Sequence, residues 1–376
     1  MAYSVAVIGT GAEPDDPGRD GYAMAYHHAA GYENHDDCDL VACADIVREN
    51  AEAFADEFGL ADDAIFEDYG EMLDEIEPEI VSVCVPPAVH ADIVVDCAEH
   101  GAVEAVHCEK PMADTFDGAE RMVAAADEHD VQVTFNHQRR FSDAVRTAKD
   151  LLDDGAIGDL ERVEFAAPVG IFDYGSHSLD LCNYFADEDR AEWVMGQVHY
   201  TEENVLFGTH NENQAMVQWE YENGVHGIGG VDASGEGGPA GAFACHNRLV
   251  GTEGTIEVGP HGDEDGDEGE GEDPPALRIR TDGEWEAVET EDGLHDWAFV
   301  DRAIAENVRC LEAGEEPELS AANALKATEI IFGTWESARR RSRVDLPLDI
   351  EGNPLEEMVE SGELNPAPRT DDAEAE

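Results

Sequence analysis

The chain has 376 residues, enough for two domains of ordinary size. It holds 89 acidic and 21 basic residues, which gives a formal net charge of −68. Such a charge excludes nucleic-acid binding and docking on anionic membranes, because both depend on Lys and Arg. Hydrophobic residues still make up 42% of the chain and fall into periodic runs, so we expect most of it to fold.

Lysine is scarce: Lys110, Lys149 and Lys326 are the only three. An acidic, lysine-poor surface suits a cytoplasm rich in salt, where counterions screen the self-repulsion of the chain, so the sequence predicts a halophilic protein. The eight cysteines form no CxxC pair, which indicates free thiols in a reducing compartment and argues against a structural zinc. Neither a membrane-spanning run nor a signal-peptide pattern occurs, so we expect a cytoplasmic protein.

The first third of the chain alternates short apolar runs with helical patterns, which is typical of a parallel sheet wrapped by helices. The apolar runs predict strands at Tyr3–Ile8, Leu40–Ala44, Ile80–Val85, Val103–Cys108 and Val131–Phe135. Gly59 is expected to end the helix that follows the second of these strands.

From about residue 140, alternating polar and apolar residues predict antiparallel strands with one exposed face. They lie at Arg162–Phe165, Ala215–Trp219, Val225–Ile228 and Thr255–Val258. The acidic segment 260–275 is expected to be a solvated loop, because its acids do not complete a calcium loop. We therefore predict an α/β protein with domains at 1–136 and 137–350, and an acidic, disordered tail at 351–376.

A glycine turn, Gly9-Thr10-Gly11, follows the first strand. A strand that runs into such a turn lets backbone amides and a helix N-terminus approach a pyrophosphate. The strict G-x-G-x-x-G spacing is not met, because nine residues instead of two separate Gly11 from Gly21, and Ala12–Asp20 forms an insert. On this motif alone, a glycine-rich turn without a ligand remains an alternative.

Asp45 stands at the end of the second strand. A carboxylate there accepts hydrogen bonds from the adenosine ribose hydroxyls and repels a 2′-phosphate. Strand, glycine turn, helix, strand and Asp45 together predict a dinucleotide site with NAD as the cofactor. Arg48, one helical turn further along, leaves NADP possible.

The tripeptide Glu109-Lys110-Pro111 follows the fifth strand, at the carboxyl edge where doubly wound folds bind ligands. This chain uses arginine for 18 of its 21 cations, so a lysine at this place indicates chemistry. Lysine, unlike arginine, can shift its pKa and exchange protons. The alternative is a solvated surface lysine beside a glutamate.

Asp173 and His177 are four residues apart, so a helix that begins near Tyr174 would place them one turn apart. An imidazole can accept a proton from a hydroxyl, and a nearby carboxylate can orient it. The alternative is an acid at a helix start and a histidine in the core. No local spacing supplies further metal ligands, so we expect no metal site, and we expect His27-His28 on a helix surface.

The order of these motifs resembles the glucose–fructose oxidoreductase, inositol dehydrogenase and rhizopine catabolism (Gfo/Idh/MocA) family, in a haloarchaeal form. The residues that carry the resemblance are Gly9-Thr10-Gly11, Asp45, Pro86-Pro87-x-x-His90, Glu109-Lys110-Pro111 and Asp173-x-x-x-His177. The stretch Val81–Phe141 is the most specific part, and the resemblance covers most of residues 1–350.

The resemblance implies an N-terminal Rossmann dinucleotide-binding domain and a C-terminal α/β domain with an open, mostly antiparallel sheet that forms homodimers or homotetramers. It implies oxidation of a secondary hydroxyl of a sugar, sugar derivative or cyclic polyol with NAD or NADP. In this chain His177 would be the general base, Lys110 would polarise the reacting hydroxyl, and Asp173 would bind the substrate.

The resemblance also assigns the cofactor side of the site. The residues implied there are Gly9, Thr10, Gly11, Asp45, Pro86, His90 and Glu109, of which His90 and Glu109 would line the nicotinamide side. Gln138 and Arg139, near the domain junction, would touch the cofactor or the substrate. Two other functions stay open: a redox-assisted glycosidase or lyase that re-reduces its intermediate, and a non-catalytic NAD-responsive binding protein.

Overall fold

The computed structural model describes residues 2–12, 23–232, 245–260, 275–294 and 297–368. It divides into two compact units. Unit 1 comprises Met1–Gln138 and Trp297–Leu325, and unit 2 comprises Arg139–Asp296 and Lys326–Glu376. The insert after Ala12, the interior of the acidic loop and the last eight residues lie outside the described part of the chain. No helix in the described ranges is both long and apolar enough to cross a bilayer.

Unit 1 is built on a six-stranded parallel sheet. Its strands are β1 (Tyr3–Ile8), β2 (Cys38–Ala44), β3 (Ile65–Phe66), β4 (Ile80–Val83), β5 (Ala105–Cys108) and β6 (Gln132–Phe135). The strand order β3-β2-β1-β4-β5-β6 is that of a Rossmann fold, and every ladder is parallel. The five predicted strands are confirmed, with ends that differ by at most two residues.

Helices cover this sheet. They are α1 (Met24–Glu33), α2 (Arg48–Phe58), α3 (Tyr69–Ile76), α4 (His90–Glu99), α5 (Phe116–His129) and α8 (Ala298–Ala313). Gly59, with φ +69°, ends α2 as predicted. Helix α8 belongs to unit 1 because it packs closely on α1: a Cβ on Gly31 would lie only 2.6 Å from Cδ1 of Ile304. The sequence did not predict this return of the chain to unit 1.

The carboxyl ends of parallel strands meet at one edge of a sheet, which positions the candidate residues of unit 1. Strand β1 leads into Gly9, β2 into Asp45, β4 into Pro86, β5 into Glu109-Lys110 and β6 into Asn136. All the strand-end motifs singled out in unit 1 therefore lie along the same edge.

Unit 2 contains a nine-stranded sheet in the order β16-β15-β14-β13-β7-β12-β11-β8-β17. Its strands are β7 (Leu160–Ala167), β8 (Ala191–His199), β11 (Gln214–Tyr221), β12 (His226–Asp232), β13 (Cys245–Gly251), β14 (Thr255–Pro260), β15 (Leu277–Arg280), β16 (Glu286–Ala287) and β17 (Val344–Asp345). A separate two-stranded sheet consists of β9 (Val205–Leu206) and β10 (Thr209–His210). Only the β7–β12 pair is parallel. The predicted open, mostly antiparallel sheet is confirmed.

The remaining helices are α6 (Asp143–Asp153), α7 (Tyr174–Phe185), α9 (Ala321–Arg340) and α10 (Pro354–Glu360). In unit 2 one face of the sheet packs against α7 and α9: Asn247 donates to the Ser178 carbonyl, and Gly196 leaves room for Thr334. Successive side chains of a strand point to opposite faces, so Arg248 projects from the other face of the sheet.

The C-terminal segment differs from the disordered tail predicted from residue 351. Helix α10 begins at Asn353, whose side chain accepts hydrogen bonds from the amides of Leu355 and Glu356. Further on, Ala367 pairs with Glu202. A short capped helix of seven residues has too little apolar periodicity to stand out in an acidic sequence.

A buried arginine anchors the start of unit 2 to helix α7. The Arg140 side chain is 1% exposed and donates to both carboxylate oxygens of Asp180, at 2.7 and 2.6 Å. A third contact joins Arg140 to Glu188 at 2.5 Å. Burial opposes the charge on Arg140, but the two carboxylates outweigh it and raise the pKa of the guanidinium. The arginine therefore compensates the buried Asp180 and shares the partly buried Glu188 with Lys326, whose Nζ is 3.7 Å from it.

We expect Arg140→Met to lower the free energy of unfolding by about 3–5 kcal/mol, because it leaves Asp180 buried without its cation. The matched control is Arg341→Met, which removes an exposed ion pair with Glu363 at 3.2 Å and should cost about 0–1 kcal/mol. Urea unfolding of both variants at one KCl concentration measures the difference. Equal effects in the two variants would show that the Arg140 cluster does not stabilise unit 2.

Candidate active site

The turn after β1 requires glycine. Gly9 and Gly11 have φ values of +83° and +67°, in the left-handed region that favours glycine. Gly9 also has no room for a side chain, since a Cβ there would lie 2.4 Å from Cγ1 of Val85 and 2.9 Å from the carbonyl oxygen of Cys84. The chain therefore passes very close to the end of β4 at this point.

The Asp45 carboxylate holds this turn in place. Its Oδ2 accepts hydrogen bonds from the Gly11 amide at 2.9 Å and from the Thr10 hydroxyl at 3.1 Å. Its Oδ1 accepts one from the Val47 amide at 2.8 Å. A carboxylate has about four acceptor positions, so these three bonds use most of its capacity. Asp45 thus shapes the turn in addition to bringing negative charge to the sheet edge.

The surroundings of Asp45 fit the adenosine end of a dinucleotide. Ile46 is 89% exposed and Val47 is 44% exposed, which places apolar surface beside the carboxylate. This combination suits a flat base attached to a ribose that donates hydrogen bonds. Arg48, the competing cation, donates to Glu52 at 2.9 Å, so its charge is already matched by a carboxylate.

A buried ion pair lies at the Glu109 position. Oε1 of Glu109 is 3.0 Å from Nε2 of His28 and accepts from Nδ2 of Asn136 at 2.7 Å, while Nδ1 of His28 is 2.6 Å from the Ser82 hydroxyl. These side chains come from α1, from β4 and from the ends of β5 and β6. The prediction of a helix surface for His27-His28 is wrong for His28, which is 0% exposed because α1 turns it toward the sheet.

The members of this cluster are in defined charge states. Burial opposes the charge on His28, but the Cys84 sulfur and the Glu109 carboxylate outweigh it and raise the pKa of His28 to about 10. Burial likewise opposes the charge on Glu109, yet His28 and Asn136 lower its pKa to about 2. The ring of His107 stacks on His28, and burial together with the His28 charge lowers its pKa to about 3. At neutral pH, His28 and Glu109 are charged and His107 is neutral.

Lys110 follows Glu109 directly, just after the end of β5. Its backbone amide donates to Oε2 of Glu109 at 3.2 Å, and its side chain is half-buried. The ion pair therefore fixes the main chain from which the lysine projects. Asn136 and His28 were missed as supporting residues, because each lies far from Glu109 in sequence and carries no motif of its own.

His90 has a different place from the predicted one. It is 0% exposed, and its ring nitrogens lie 2.7 Å from the Val85 carbonyl oxygen and 3.0 Å from that of Pro111. Burial lowers the pKa of His90. The ring therefore connects the segment after β4 with the segment after β5, and none of its surface is exposed. Pro86, which is exposed, begins the short turn between β4 and α4.

In unit 2, helix α7 begins at Tyr174, so the condition under which Asp173 and His177 lie one turn apart is met. Both are buried, with exposed fractions of 8% and 5%. The Ser176 hydroxyl donates to the Asp173 carbonyl oxygen at 2.7 Å and fixes the first turn.

The segment that leads into α7 is held by Glu212. Its carboxylate accepts from the Ile171 amide at 2.7 Å and from Nε1 of Trp335 at 2.8 Å. Burial raises the pKa of Glu212. Because Ile171 lies two residues before Asp173, this buried acid sets the path of the chain into the helix.

The structure also brings His246 into contact with α7. Its Nδ1 lies 3.1 Å from the Ser178 hydroxyl, and its Nε2 contacts the guanidinium of Arg139. Arg139 is buried, which lowers its pKa, and lies 5.0 Å over the ring of Tyr174. Arg139 was predicted, whereas His246 was missed because its strand has no motif. Gln138 is half-buried and ends the first segment of unit 1.

Residues 4–137 match the family described as "Oxidoreductase family, NAD-binding Rossmann fold" (GFO_IDH_MocA). This part of the chain is therefore an NAD-binding Rossmann domain of the Gfo/Idh/MocA oxidoreductase family. The predicted family, fold class, enzyme class and nicotinamide cofactor are thereby confirmed.

Curated relatives of this chain are dehydrogenases named for sugars and inositol. It is 26% identical over 345 residues to D-apiose dehydrogenase of Paraburkholderia graminis. The aligned region covers 85% of this chain and 86% of that protein. It is 27% identical over 246 residues to D-xylose 1-dehydrogenase [NADP(+)] of Haloarcula marismortui, covering 59% of this chain and 65% of that one. Over 235 residues it is 26% identical to inositol 2-dehydrogenase of Salmonella typhimurium, and this alignment covers 58% of this chain and 66% of that protein.

Solved structures share the fold. Aldose-aldose oxidoreductase of Caulobacter crescentus superposes with a TM-score of 0.73 at 19% identity and covers 92% of this chain and 100% of that one. The WlbA dehydrogenase of Bordetella pertussis, in complex with NADH and UDP-GlcNAcA, gives a TM-score of 0.70 at 19% identity and covers 93% and 100%.

The pH dependence of stability tests the His28–Glu109 pair. The pKa of His28 is raised in the folded state, so its contribution to stability is complete below the unfolded value of about 6.5 and is lost as the pH rises toward the folded value. We therefore expect the stability advantage of the wild type over His28→Gln to shrink from about pH 7 to about pH 9.

Urea unfolding in molar KCl at each pH measures this advantage. The control is His199→Gln, which changes an exposed histidine of β8 and should give a difference that is constant over the same range. A constant or growing difference for His28→Gln would contradict a charged His28 in the folded protein.

Proposed function

We propose that this chain is an NAD-preferring dehydrogenase that transfers hydride between a nicotinamide and a secondary hydroxyl of a sugar, sugar derivative or cyclic polyol. The observation that carries the proposal is the Asp45 carboxylate at the end of β2, bonded to the Gly9–Gly11 turn at the carboxyl edge of a Rossmann sheet. The names of the relatives, dehydrogenases of apiose, xylose and inositol, support the substrate class.

Unit 1, predicted as domain 1–136, binds the cofactor. The backbone of the glycine turn faces the pyrophosphate, Asp45 accepts from the ribose hydroxyls, and Ile46 covers the base. The bound nicotinamide supplies the hydride chemistry. Glu109 supports the lysine indirectly. Its buried carboxylate accepts a hydrogen bond from the Lys110 amide and so holds the lysine at the end of β5.

Unit 2, predicted as domain 137–350, binds the substrate. His177 accepts the hydroxyl proton, because an imidazole is the side chain best suited to take up a proton at neutral pH. Lys110 donates a hydrogen bond to the reacting oxygen and stabilises its developing negative charge. Asp173, one turn before His177, binds substrate hydroxyls. Arg139 and His246 form the adjacent wall of the proposed substrate site.

The protein works in a salt-rich cytoplasm as a homodimer or homotetramer. The net charge of −68 favours a medium in which counterions screen self-repulsion. The seven cysteines whose side chains are described are free, which suits a reducing compartment. A relative from Haloarcula marismortui adds to the case for a halophilic source.

The activity is tested by following reduced nicotinamide in molar KCl over a panel of aldoses, sugar acids and inositols with both cofactors. We expect accumulation of NADH with at least one compound, and a kcat/KM for NAD that exceeds that for NADP by about tenfold, because Asp45 repels a 2′-phosphate. Asp45→Asn removes the charge and keeps one side-chain oxygen, which can still accept from Thr10 and Gly11 while the bond from the Val47 amide is lost. It should shift the preference toward NADP.

Asp56→Asn, on an exposed position of α2, is the control for that shift and should leave the preference unchanged. A higher kcat/KM with NADP in the wild type would overturn the NAD assignment. Turnover of a glycoside with catalytic NAD and no net NADH would instead identify the redox-assisted glycosidase. Tight NADH binding with no turnover across the panel would identify a binding protein.

We expect His177→Ala to lower kcat by roughly 10²–10⁴-fold, the usual effect of losing a general base. Lys110→Ala should also remove most turnover. Lys110→Arg should restore little, because a guanidinium has a different shape and stays charged. The affinity for NADH, measured by fluorescence, should change little in His177→Ala because the proposed cofactor contacts lie in unit 1.

His226→Ala, an exposed histidine of β12, is the matched control and should retain wild-type kcat. If Lys110 and His177 act on the same hydroxyl, the double variant loses less than the sum of the two single free energies. Wild-type kcat in folded His177→Ala would remove this histidine from the mechanism.

A further inference from the structure

Unit 2 contains a buried acid that no cation compensates. Glu212, in the segment between β10 and β11, is 0% exposed, and burial raises the pKa of its carboxyl. Other buried acids of this unit, such as Asp180 and Glu257, are paired with arginine. Within the described ranges, no lysine or arginine forms an ion pair with Glu212. A buried carboxylate is unfavourable unless its hydrogen bonds compensate it, so those bonds indicate what the residue does.

The two oxygens of Glu212 join two distant segments of the chain. Oε1 accepts from the amide of Ile171, just before α7, at 2.7 Å, and Oε2 accepts from Nε1 of Trp335, on α9, at 2.8 Å. An ionised carboxylate only accepts hydrogen bonds, so it can serve both N–H donors at once. A glutamine would present one oxygen and one NH₂ group, and the NH₂ group would face one of the two donors.

Aromatic packing fixes the second donor against the same segment. The Trp335 side chain is 0% exposed, and the centre of its ring lies 5.7 Å from that of Phe172. Phe172 directly precedes Asp173 in the chain. Trp335 therefore contacts the segment before α7 twice, directly through Phe172 and indirectly through Glu212.

The start of this segment is confined by Asn211. A Cβ on Gly170 would lie 2.7 Å from Oδ1 of Asn211, so a side chain there would collide with it. The Gly170 carbonyl oxygen accepts from the Gly175 amide at 2.9 Å, which joins the segment to the first turn of α7. The path of the chain from residue 170 to residue 175 is therefore fixed at both ends, and Asp173 lies within it.

We propose that Glu212 and Trp335 position the start of α7, and thereby His177, for the proposed dehydrogenase reaction. The inference rests on the proposed function, in which His177 accepts the substrate proton. A displacement of about 1 Å at a reacting group can lower turnover by about 10²-fold, even when the altered residue lies away from the chemistry. Glu212 and Trp335 are thus positioning residues that act through the segment between them and α7.

Glu212→Gln should lower kcat by about 10–100-fold, because the segment before α7 loses one of its two bonds to the carboxylate. The Kd for NADH should change little, since the proposed cofactor contacts lie in unit 1. Steady-state kinetics in molar KCl and fluorescence of bound NADH measure the two effects. In a His177→Ala background, Glu212→Gln should cause little further loss of kcat, because it acts through the same histidine.

The matched control is Glu329→Gln. Glu329 is a buried glutamate of α9 that also accepts from a main-chain amide, that of Leu348, at 2.7 Å. This variant should keep kcat near the wild-type value. Equal losses in the two glutamine variants, or additive losses of Glu212→Gln and His177→Ala, would show a general structural effect and overturn the positioning role.

Histidine NMR gives a readout that does not depend on turnover. Full-length protein is labelled with carbon-13 histidine, and the imidazole signal of His177 is assigned by its absence from His177→Ala. We expect this signal to shift in Glu212→Gln and to stay unchanged in Glu329→Gln. If the wild type turns over no compound of the panel, the proposed function fails, and this signal alone decides whether Glu212 positions α7.

Trp335→Phe decides the question if Glu212→Gln does not fold. It keeps an aromatic ring against Phe172 and removes the N–H donor to Glu212, so it should shift the His177 signal and lower kcat several-fold. An unchanged His177 signal in the folded variants overturns the inference, as does wild-type kcat in folded Glu212→Gln.

Discussion

The carboxylate of Asp45 joins the two loops on which the candidate cofactor site depends. It accepts from the turn after β1 through Thr10 and Gly11, and from its own strand end through Val47. The same group that would discriminate between NAD and NADP also maintains the shape of the turn, so a change in cofactor preference at this position must preserve its hydrogen bonds as well as change its charge.

Some of the scarce cations compensate acids inside the molecule, although others form exposed pairs. In unit 1 the buried Glu109 meets His28 at 3.0 Å. In unit 2 the buried Asp180 meets Arg140, and the buried Glu257 meets two arginines. A buried carboxylate without such a partner would cost several kcal/mol, whereas an exposed one is stabilised by water and salt. A chain with 89 acids can thus tolerate its charge at the surface while its few basic residues compensate acids that packing has buried.

Local patterns predicted much of this structure. The strands of unit 1, the position of Asp45 and the end of α2 at Gly59 followed from apolar runs and turn residues, because these signals are contained in a few adjacent positions. Contacts between distant segments could not be predicted in this way. His28 pairs with Glu109 across 81 residues, and His246 reaches Ser178 through the pairing of β13 with β7. The return of α8 to unit 1 and the helix at Pro354–Glu360 likewise depend on tertiary packing and capping.

Equilibrium binding of reduced nucleotides in the absence of any substrate tests the central claim most directly. Wild-type protein in molar KCl is titrated with NADH and with NADPH, and the fluorescence of the reduced nicotinamide is followed. The account predicts saturable NADH binding at one site per chain and a Kd for NADPH that is at least about tenfold higher, since in the proposed site the Asp45 carboxylate would meet the 2′-phosphate. Failure of both nucleotides to saturate, or tighter binding of NADPH, would contradict it.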